Sequence, residues 1–327
     1  MNLSLLVADP FPVELWQRQD RFADVPSLAL LLARGTCRTL PWRGAEAWAF
    51  ETLTGRPATE APLAALSLLA DGGNPGDALW VRADPVHLAL TRDSAILAPA
   101  GHLDIGADEA IELCGTLNEH FRDRGIVFRA PQPQRWYLEL AAPVGALGDG
   151  PESSRGRRVA NAPADRSSAP ARALANEIQM VLHEHPVNAG RESAGRPPIN
   201  SLWLWGEGRL PAPEVRGFDA VLSDLPVARG LSLSASLEHA PAGGASALFS
   251  RGDGRSALAT AGPGADGEES LERRWFHPLY EAMRARRVKT ARIVVAHVGA
   301  RAALECSVAA RDLWRIWRRA APSLVAP

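Results

Sequence analysis

The chain has 327 residues, of which 46% are hydrophobic and 22% charged, and a formal net charge of -1. That length and apolar content suit two domains, or one large domain with an insertion. The near-neutral balance excludes a global field favouring nucleic acid or an anionic membrane. All but one of the 36 cationic residues are arginine, the exception being Lys289. Cys37, Cys114 and Cys306 are far apart, odd in number and without CxxC or Cys/His spacing, which argues against a zinc site and equally against a disulfide framework.

In chain order, LSLLVAD at 3–9 reads as a short buried strand broken by Pro10 and Pro12. The first residues have no basic region, and their apolar run is too short for a signal peptide. No apolar run approaches the roughly 18 residues of a membrane span, so a cytoplasmic protein is expected. Helical pattern follows at 27–34 and 62–69, and GGNPGD at 72–77 is a turn cluster. DALWVRADPVHLALTRDSAILA predicts two strands separated near Asp84-Pro85. A helix is predicted over 104–123, with Ile111, Leu113 or Cys114, Leu117 and Phe121 at core spacing and Asp108 and Glu109 in the first turn. IVFRA and RWYLELAA read as strands on either side of PQPQ.

Residues 143–172 turn to Gly, Ser, Pro, Ala, Asp and Arg and read as a mobile loop or linker. It leads into a helix over about 171–183. Residues 240–270 form a second low-complexity stretch, read as a mobile loop. A helix at 269–286, the strand RIVVAHV and an arginine-rich terminal helix close the chain, with Trp314 and Trp317 as a core-facing stripe. The division expected is 1–142, a linker at 143–172, and 173–327.

The polar candidates gather around two proline breaks and one apolar strand. NSLWLWG places Leu202 and Leu204 on one face and Trp203 and Trp205 on the other, predicting a central strand. It opens into Gly206-Glu207-Gly208, where an open α/β sheet would bind a ligand; a plain turn is the competing reading. His183 and His185 are too close for the i, i+4 geometry of a zinc helix. Pro186 ends that helix, leaving His185 as a cap for its C-terminus. Arg191 and Arg196 are candidate anion clamps, and Asn188 and Asn200 turn or cap residues. Asp84 and His87, with Arg82 and Arg92 nearby, read as a satisfied structural pair. Arg135 beside Trp136 and Tyr137 suits an anionic or planar ligand, or simply an edge strand. The chain has no GxSxG elbow, P-loop, GxGxxG after a strand or EF-hand loop.

LWVRADPVHL, RDSAIL, EAIELCGTLNEHF, VFRAPQPQRWYLEL, NEIQMVLHEHPVNAGRESAGRPPINSLWLWGEGRLP and ARDLWRIWRR together resemble the RpfE-type regulatory proteins of proteobacteria, in patches over most of the chain. The run H-P-V-N, R, G-R-P-P-x-N, W-L-W-G-x-G also resembles archaeal-type cofactor-independent phosphoglycerate mutases, over the middle and later parts. This second resemblance implies an α/β fold: an alkaline-phosphatase-like central sheet flanked by helices, with a smaller α+β subdomain. It also implies two divalent metals, held by Asp and His, that activate a serine. Here Asp9 keeps a carboxylate where the family has Asp-Gly, but Pro10 follows it; His297 follows a strand, but no Asp-x-x-x-His pair comes after it. No serine stands in matching context, and losing most ligands should remove the metal.

The expectation is therefore a fold relative with a degenerate metal site and no cofactor. It would be a non-catalytic regulatory protein that binds a small anionic metabolite or a protein partner through Arg135, His185, Asn188, Arg191, Arg196, Asn200 and Glu207. The alternative is a divergent phosphoglycerate mutase or phosphatase using manganese or another divalent metal. Nucleic-acid binding through residues 311–319 is the least favoured reading.

Overall fold

A computed structural model describes residues 1–8, 22–90, 95–145, 150–151, 158–159, 168–212, 214–249, 255–262, 271–297 and 300–318. Asp9, Arg92 and much of 143–172 and 240–270 lie outside the described residues. The chain divides into one unit made of Met1–Gly55 with Pro213–Pro327 and a second made of Arg56–Ala212. The breaks thus fall at Gly55 and Ala212, so that residues on both sides of 143–172 belong to one unit. The reason is pairing: the strand that follows that stretch hydrogen-bonds to a strand that precedes it.

The first unit begins with β1 (Asn2–Ala8), α1 (Pro26–Arg34), β2 (Thr36–Pro41) and α2 (Ala45–Thr54). The second unit follows with α3 (Leu63–Ala70), β3 (Leu79–Leu90), β4 (Ala95–Pro99), α4 (Ala107–His120), β5 (Val127–Gln132), β6 (Arg135–Leu140), β7 (Arg158–Val159), α5 (Ala169–His183), α6 (Pro186–Ser193) and β8 (Ser201–Gly208). The chain then returns to the first unit with β9 (Ala220–Leu222), α7 (Pro226–Ser234), β10 (Glu238–Ala240), α8 (Ala245–Phe249), β11 (Ser256–Ala261), α9 (His277–Arg284), β12 (Thr290–Ala296) and β13 (Ala302–Ala309).

The first unit is an α/β layer structure around a seven-stranded sheet ordered β10-β9-β11-β1-β12-β13-β2. The run from β10 to β12 is parallel, and β13 and β2 extend it antiparallel. Leu5, Leu6 and Val7 are all buried, as expected of a parallel strand covered on both faces. On one face Leu3, Leu5 and Val7 share a core with Leu28 and Leu31 of α1 and with Trp275, Phe276 and Leu279.

Three expectations change here. The stretch 240–270 contributes β11, a buried strand between β1 and β9. Its SALATA sequence looks like low complexity because small side chains suffice where strands are enclosed. Cys37 and Cys306 stand directly opposite each other on β2 and β13 and are joined as a disulfide, their Cα atoms 4.0 Å apart. Long sequence separation hid a pairing that strand register creates. The terminal helix reduces to a 3-10 turn at Ala310–Trp314 that buries Leu313, leaving Trp314 75% and Trp317 74% exposed. Leu313, and neither tryptophan, is the residue this turn presents to the core.

The second unit is α+β, a six-stranded antiparallel sheet ordered β5-β6-β3-β4-β7 with β8 along the other side of β3. The two strands expected around Asp84-Pro85 are one. Pro85 falls between the stretch paired with β6 (79–82) and that paired with β4 (86–90), so on that side no ladder partner is lost. β8 is apolar on both faces, yet among the described residues it pairs only with β3. Its burial comes from α5 on one face and α3 on the other rather than from flanking strands. Ile111 of α4 is exposed, and Ala110, Leu113, Cys114 and Leu117 form the buried stripe instead. Among the described residues no helix is long and apolar enough to cross a membrane.

Gly206 and Gly208 end β8 as strand residues, not as a loop. Gly206 has a left-handed φ of 66°, and a Cβ on Gly208 would lie 2.4 Å from the Pro62 Cβ and 2.7 Å from its Cα. The glycines therefore admit the start of α3 against the strand. Gly208→Ala should cost about 1–3 kcal/mol of stability through overpacking. Gly190→Ala, in α6 where nothing lies within 4 Å, should be neutral or gain up to about 1 kcal/mol. Urea denaturation of the two variants checks the pair; equal effects would refute the packing argument.

Candidate functional site

The amino end of α4 organises the polar residues of the second unit. Gly106 precedes the helix without a side chain to cap it, and the Gly106 N–H donates to Glu109 Oε2 at 2.9 Å. The same carboxylate accepts from Arg191 Nη1 at 2.7 Å and, in fork geometry, from Arg196 Nη1 at 3.0 Å and Nη2 at 3.1 Å. Arg191 is only 1% exposed; its Nε donates to the Pro197 carbonyl at 2.8 Å and its Nη2 to the Leu103 carbonyl. Arg196 also donates to the Asp104 carbonyl, and Asp104 sits in the left-handed region at φ 46°. Both arginines read as anion clamps are thus turned onto a protein carboxylate. A guanidinium buried to this degree needs an internal anion, and Glu109 supplies it.

Burial alone would raise the Glu109 carboxyl, but the Gly106 N–H, Arg196 and Arg191 outweigh it and hold the group below its ordinary 4.5. Desolvation pulls Arg191 down from its ordinary value, opposed by Glu109.

His185 caps the start of α6 rather than the end of α5. Its backbone is extended, Pro186 occupies the first helical position, and its Nδ1 accepts from the Val187 N–H at 3.2 Å. With Nδ1 accepting, Nε2 carries the proton and donates to Thr116 Oγ1 at 2.9 Å. Burial lowers the imidazole from its ordinary 6.5, with Glu112 acting the other way, so the ring is neutral at pH 7. Asn188 donates to the carbonyls of Leu182 at 2.7 Å and Ile199 at 2.9 Å and accepts from the Ile199 N–H at 2.7 Å. It staples the end of α5 to the segment entering β8. Asn200 extends the β3–β8 ladder with its side chain, accepting from the Leu88 N–H at 2.8 Å and donating to the Leu88 carbonyl at 3.0 Å. His87 Nδ1 lies 2.9 Å from the Pro198 carbonyl.

A second polar network covers the α3 face of the sheet. Arg135 grips Asp71 in a fork at 2.6 and 2.5 Å, and the Tyr137 hydroxyl donates to Asp71 Oδ2 at 2.6 Å. Burial pushes the Tyr137 hydroxyl above its ordinary range. The fork expected to meet a ligand is therefore directed at Asp71. Behind it Arg82 and Asp84 form a buried pair, with Arg82 Nη2 2.8 Å from each carboxylate oxygen. The Trp205 Nε1–H donates to Asp84 Oδ2 at 2.8 Å, and its ring lies beneath the Arg82 guanidinium at 4.9 Å. Glu207 accepts from the Val144 N–H at 3.1 Å, tying down that loop.

The structure thus gathers His185, Asn188, Arg191 and Arg196 around α4–α6, and Arg135 with Asp84 and Trp205 around α3. Asp71 and Thr116 carried no local signal. Glu109 did, as an acid three residues into a helix that starts on glycine. Among the described residues no three His, Cys, Asp or Glu side chains converge to hold a metal ion, and no chemistry through a metal is assigned to them.

Two predictions follow from these partners. Arg191→Ala leaves Glu109 half-buried and should cost about 3–5 kcal/mol, whereas the more exposed Arg196→Ala should cost about 1 kcal/mol or less. Similar losses in urea denaturation would refute the hierarchy. For His185 the folded-state pKa is depressed, so unfolding takes up a proton as pH falls. The stability it contributes is complete above its ordinary 6.5 and is lost as pH falls through the lower folded value. His185→Gln should therefore flatten the loss of stability between pH 7.5 and pH 5, measured as urea midpoints; an unchanged slope would contradict it.

No protein-family model matches the chain. A probable 2,3-bisphosphoglycerate-independent phosphoglycerate mutase of Geobacter sulfurreducens is 38% identical over 72 residues, 20% of this chain and 18% of that protein. Phosphoglycerate mutase 2 of Methanothermobacter thermautotrophicus is 30% identical over 150 residues, 43% of this chain and 36% of that enzyme. Among solved structures, the cofactor-independent phosphoglycerate mutase of Thermoplasma acidophilum superposes at a TM-score of 0.46 and 19% identity, covering 94% of this chain and 89% of that one. The chain is similar in sequence to cofactor-independent phosphoglycerate mutases, at low identity and over about a third or less of the length of the curated relatives it matches.

Proposed function

We propose that the protein is a non-catalytic, cytoplasmic regulatory relative of the cofactor-independent phosphoglycerate mutases, of the RpfE type, built on an alkaline-phosphatase-like fold. It binds a small anionic metabolite or a protein partner and needs no cofactor. The observation that carries this reading is that the polar groups of the mutase-like segment close on the protein itself: Arg191 and Arg196 donate to Glu109, Asn188 bonds the backbone of Leu182 and Ile199, and His185 caps α6 and meets Thr116. The sequence context supports the same reading: Asp9 is followed by Pro10, and His297 lacks the following Asp-x-x-x-His.

The test is conversion of 3-phosphoglycerate to 2-phosphoglycerate by the purified chain with manganese, beside metal analysis and the variant Asp9→Ala. No turnover above the blank, and no difference in Asp9→Ala, is the expected result. Turnover that Asp9→Ala abolishes would make the protein a divergent mutase and overturn the proposal.

A further inference from the structure

The face of the first unit's sheet turned away from Leu3, Leu5 and Val7 carries a polar row set by register alone. Ser4 on β1 stands beside Arg292 on β12, Arg292 beside Ser307 on β13, and Ser307 beside Thr36 on β2. Residues directly opposite on neighbouring strands share a face, so a hydroxyl, a guanidinium and two more hydroxyls cross four adjacent strands in line. Among the described residues the hydroxyls of Ser4, Ser307 and Thr36 have no protein hydrogen-bond partner. These four residues, together with Phe218, Arg311, Asp312 and Arg315, are among those that line a cleft of about 520 Å³. That volume suits a small metabolite.

The charges in the cleft do not cancel. Arg315 pairs with Asp312 at 3.0 Å. Arg292 donates to Glu305 at 2.5 Å, but Glu305 is shared with Arg38 at 2.6 Å. Of the charged residues that line the cleft, three are arginines (Arg292, Arg311, Arg315) and one is an acid (Asp312), while Glu305, outside the lining, is shared between Arg292 and Arg38. Arg311 is exposed and has no ion-pair partner among the described residues.

We propose that this cleft binds a small polyanion, phosphate- or carboxylate-bearing, with Arg311 and Arg292 meeting its charge and the hydroxyls of Ser4, Ser307 and Thr36 its oxygens. The inference rests on the binding-protein reading for the class of ligand and goes beyond it in the place. Donors aligned across strands can bond several oxygens of one anion, and guanidinium–oxyanion bonds are the stronger kind. The exposed positions of Arg311 and Ser307 let both be replaced without disturbing a core.

Calorimetric titration of the full chain at low salt, with pyrophosphate and with citrate, tests it. Saturable binding of at least one probe is expected, and which of the two binds more tightly separates phosphate from carboxylate ligands. Arg311→Glu should weaken that binding by roughly tenfold or more, and Ser307→Val several-fold, with unchanged thermal midpoints. Arg229→Glu, an equal change of charge at an exposed position of α7, should change it less than about twofold. No saturable binding of either probe would overturn the cleft assignment, and so would an equal loss in Arg229→Glu, which marks non-specific attraction. Mutase turnover in the same samples, with cleft binding retained, would sink the proposed function and leave the cleft standing.

Discussion

Glu109 takes one backbone N–H and two guanidiniums onto a single carboxylate, and the second unit's polar segment hangs from it. The carboxylate starts α4, and Arg191 runs from it to the carbonyls of Leu103 and Pro197. Because Arg191 is buried, its charge is tolerable only while Glu109 stays ionised, and the same bonds keep Glu109 ionised. Around this pair, Asn188 bonds the backbone of Leu182 and Ile199, and His185 takes the Val187 N–H on one ring nitrogen and meets Thr116 with the other. The segment is dense in functional-looking residues because an irregular chain path needs many side chains to satisfy its backbone.

The α3 face follows the same logic with different chemistry. Asp71 receives Arg135 and Tyr137, while Asp84 receives Arg82 and Trp205. Two carboxylates, two guanidiniums and two aromatic side chains leave little of this layer unsatisfied. Inward-facing polar groups are commonly the mark of a site, yet here they close on one another. By contrast, the polar row on the first unit's sheet combines hydroxyls open to solvent with a surplus of positive charge. Open donors and uncompensated charge are what a ligand can use.

The likeness to phosphoglycerate mutases is one of sequence, at low identity and over about a third or less of those enzymes' length. Likeness of that extent does not carry chemistry, because an activity rests on particular side chains at fixed distances and not on layers of secondary structure.

Much of the architecture is legible from local pattern. LSLLVA, RIVVA and SLWLWG announce strands, and the spacing of Leu113, Leu117 and Phe121 announces α4. These depend on neighbours in the chain, through strand alternation and helical period. Pairing across distance is not written that way. The enclosed strand SALATA, the meeting of Cys37 with Cys306 and the passage of β3 straight through Pro85 follow from register, which no short window contains. The site shows the same divide. Sequence alone identified Arg135, Arg191 and Arg196 as cations near breaks in the chain. Only the tertiary structure decided that their forks face Asp71 and Glu109, since a charge's partner is set by which acid the fold brings within hydrogen-bond reach.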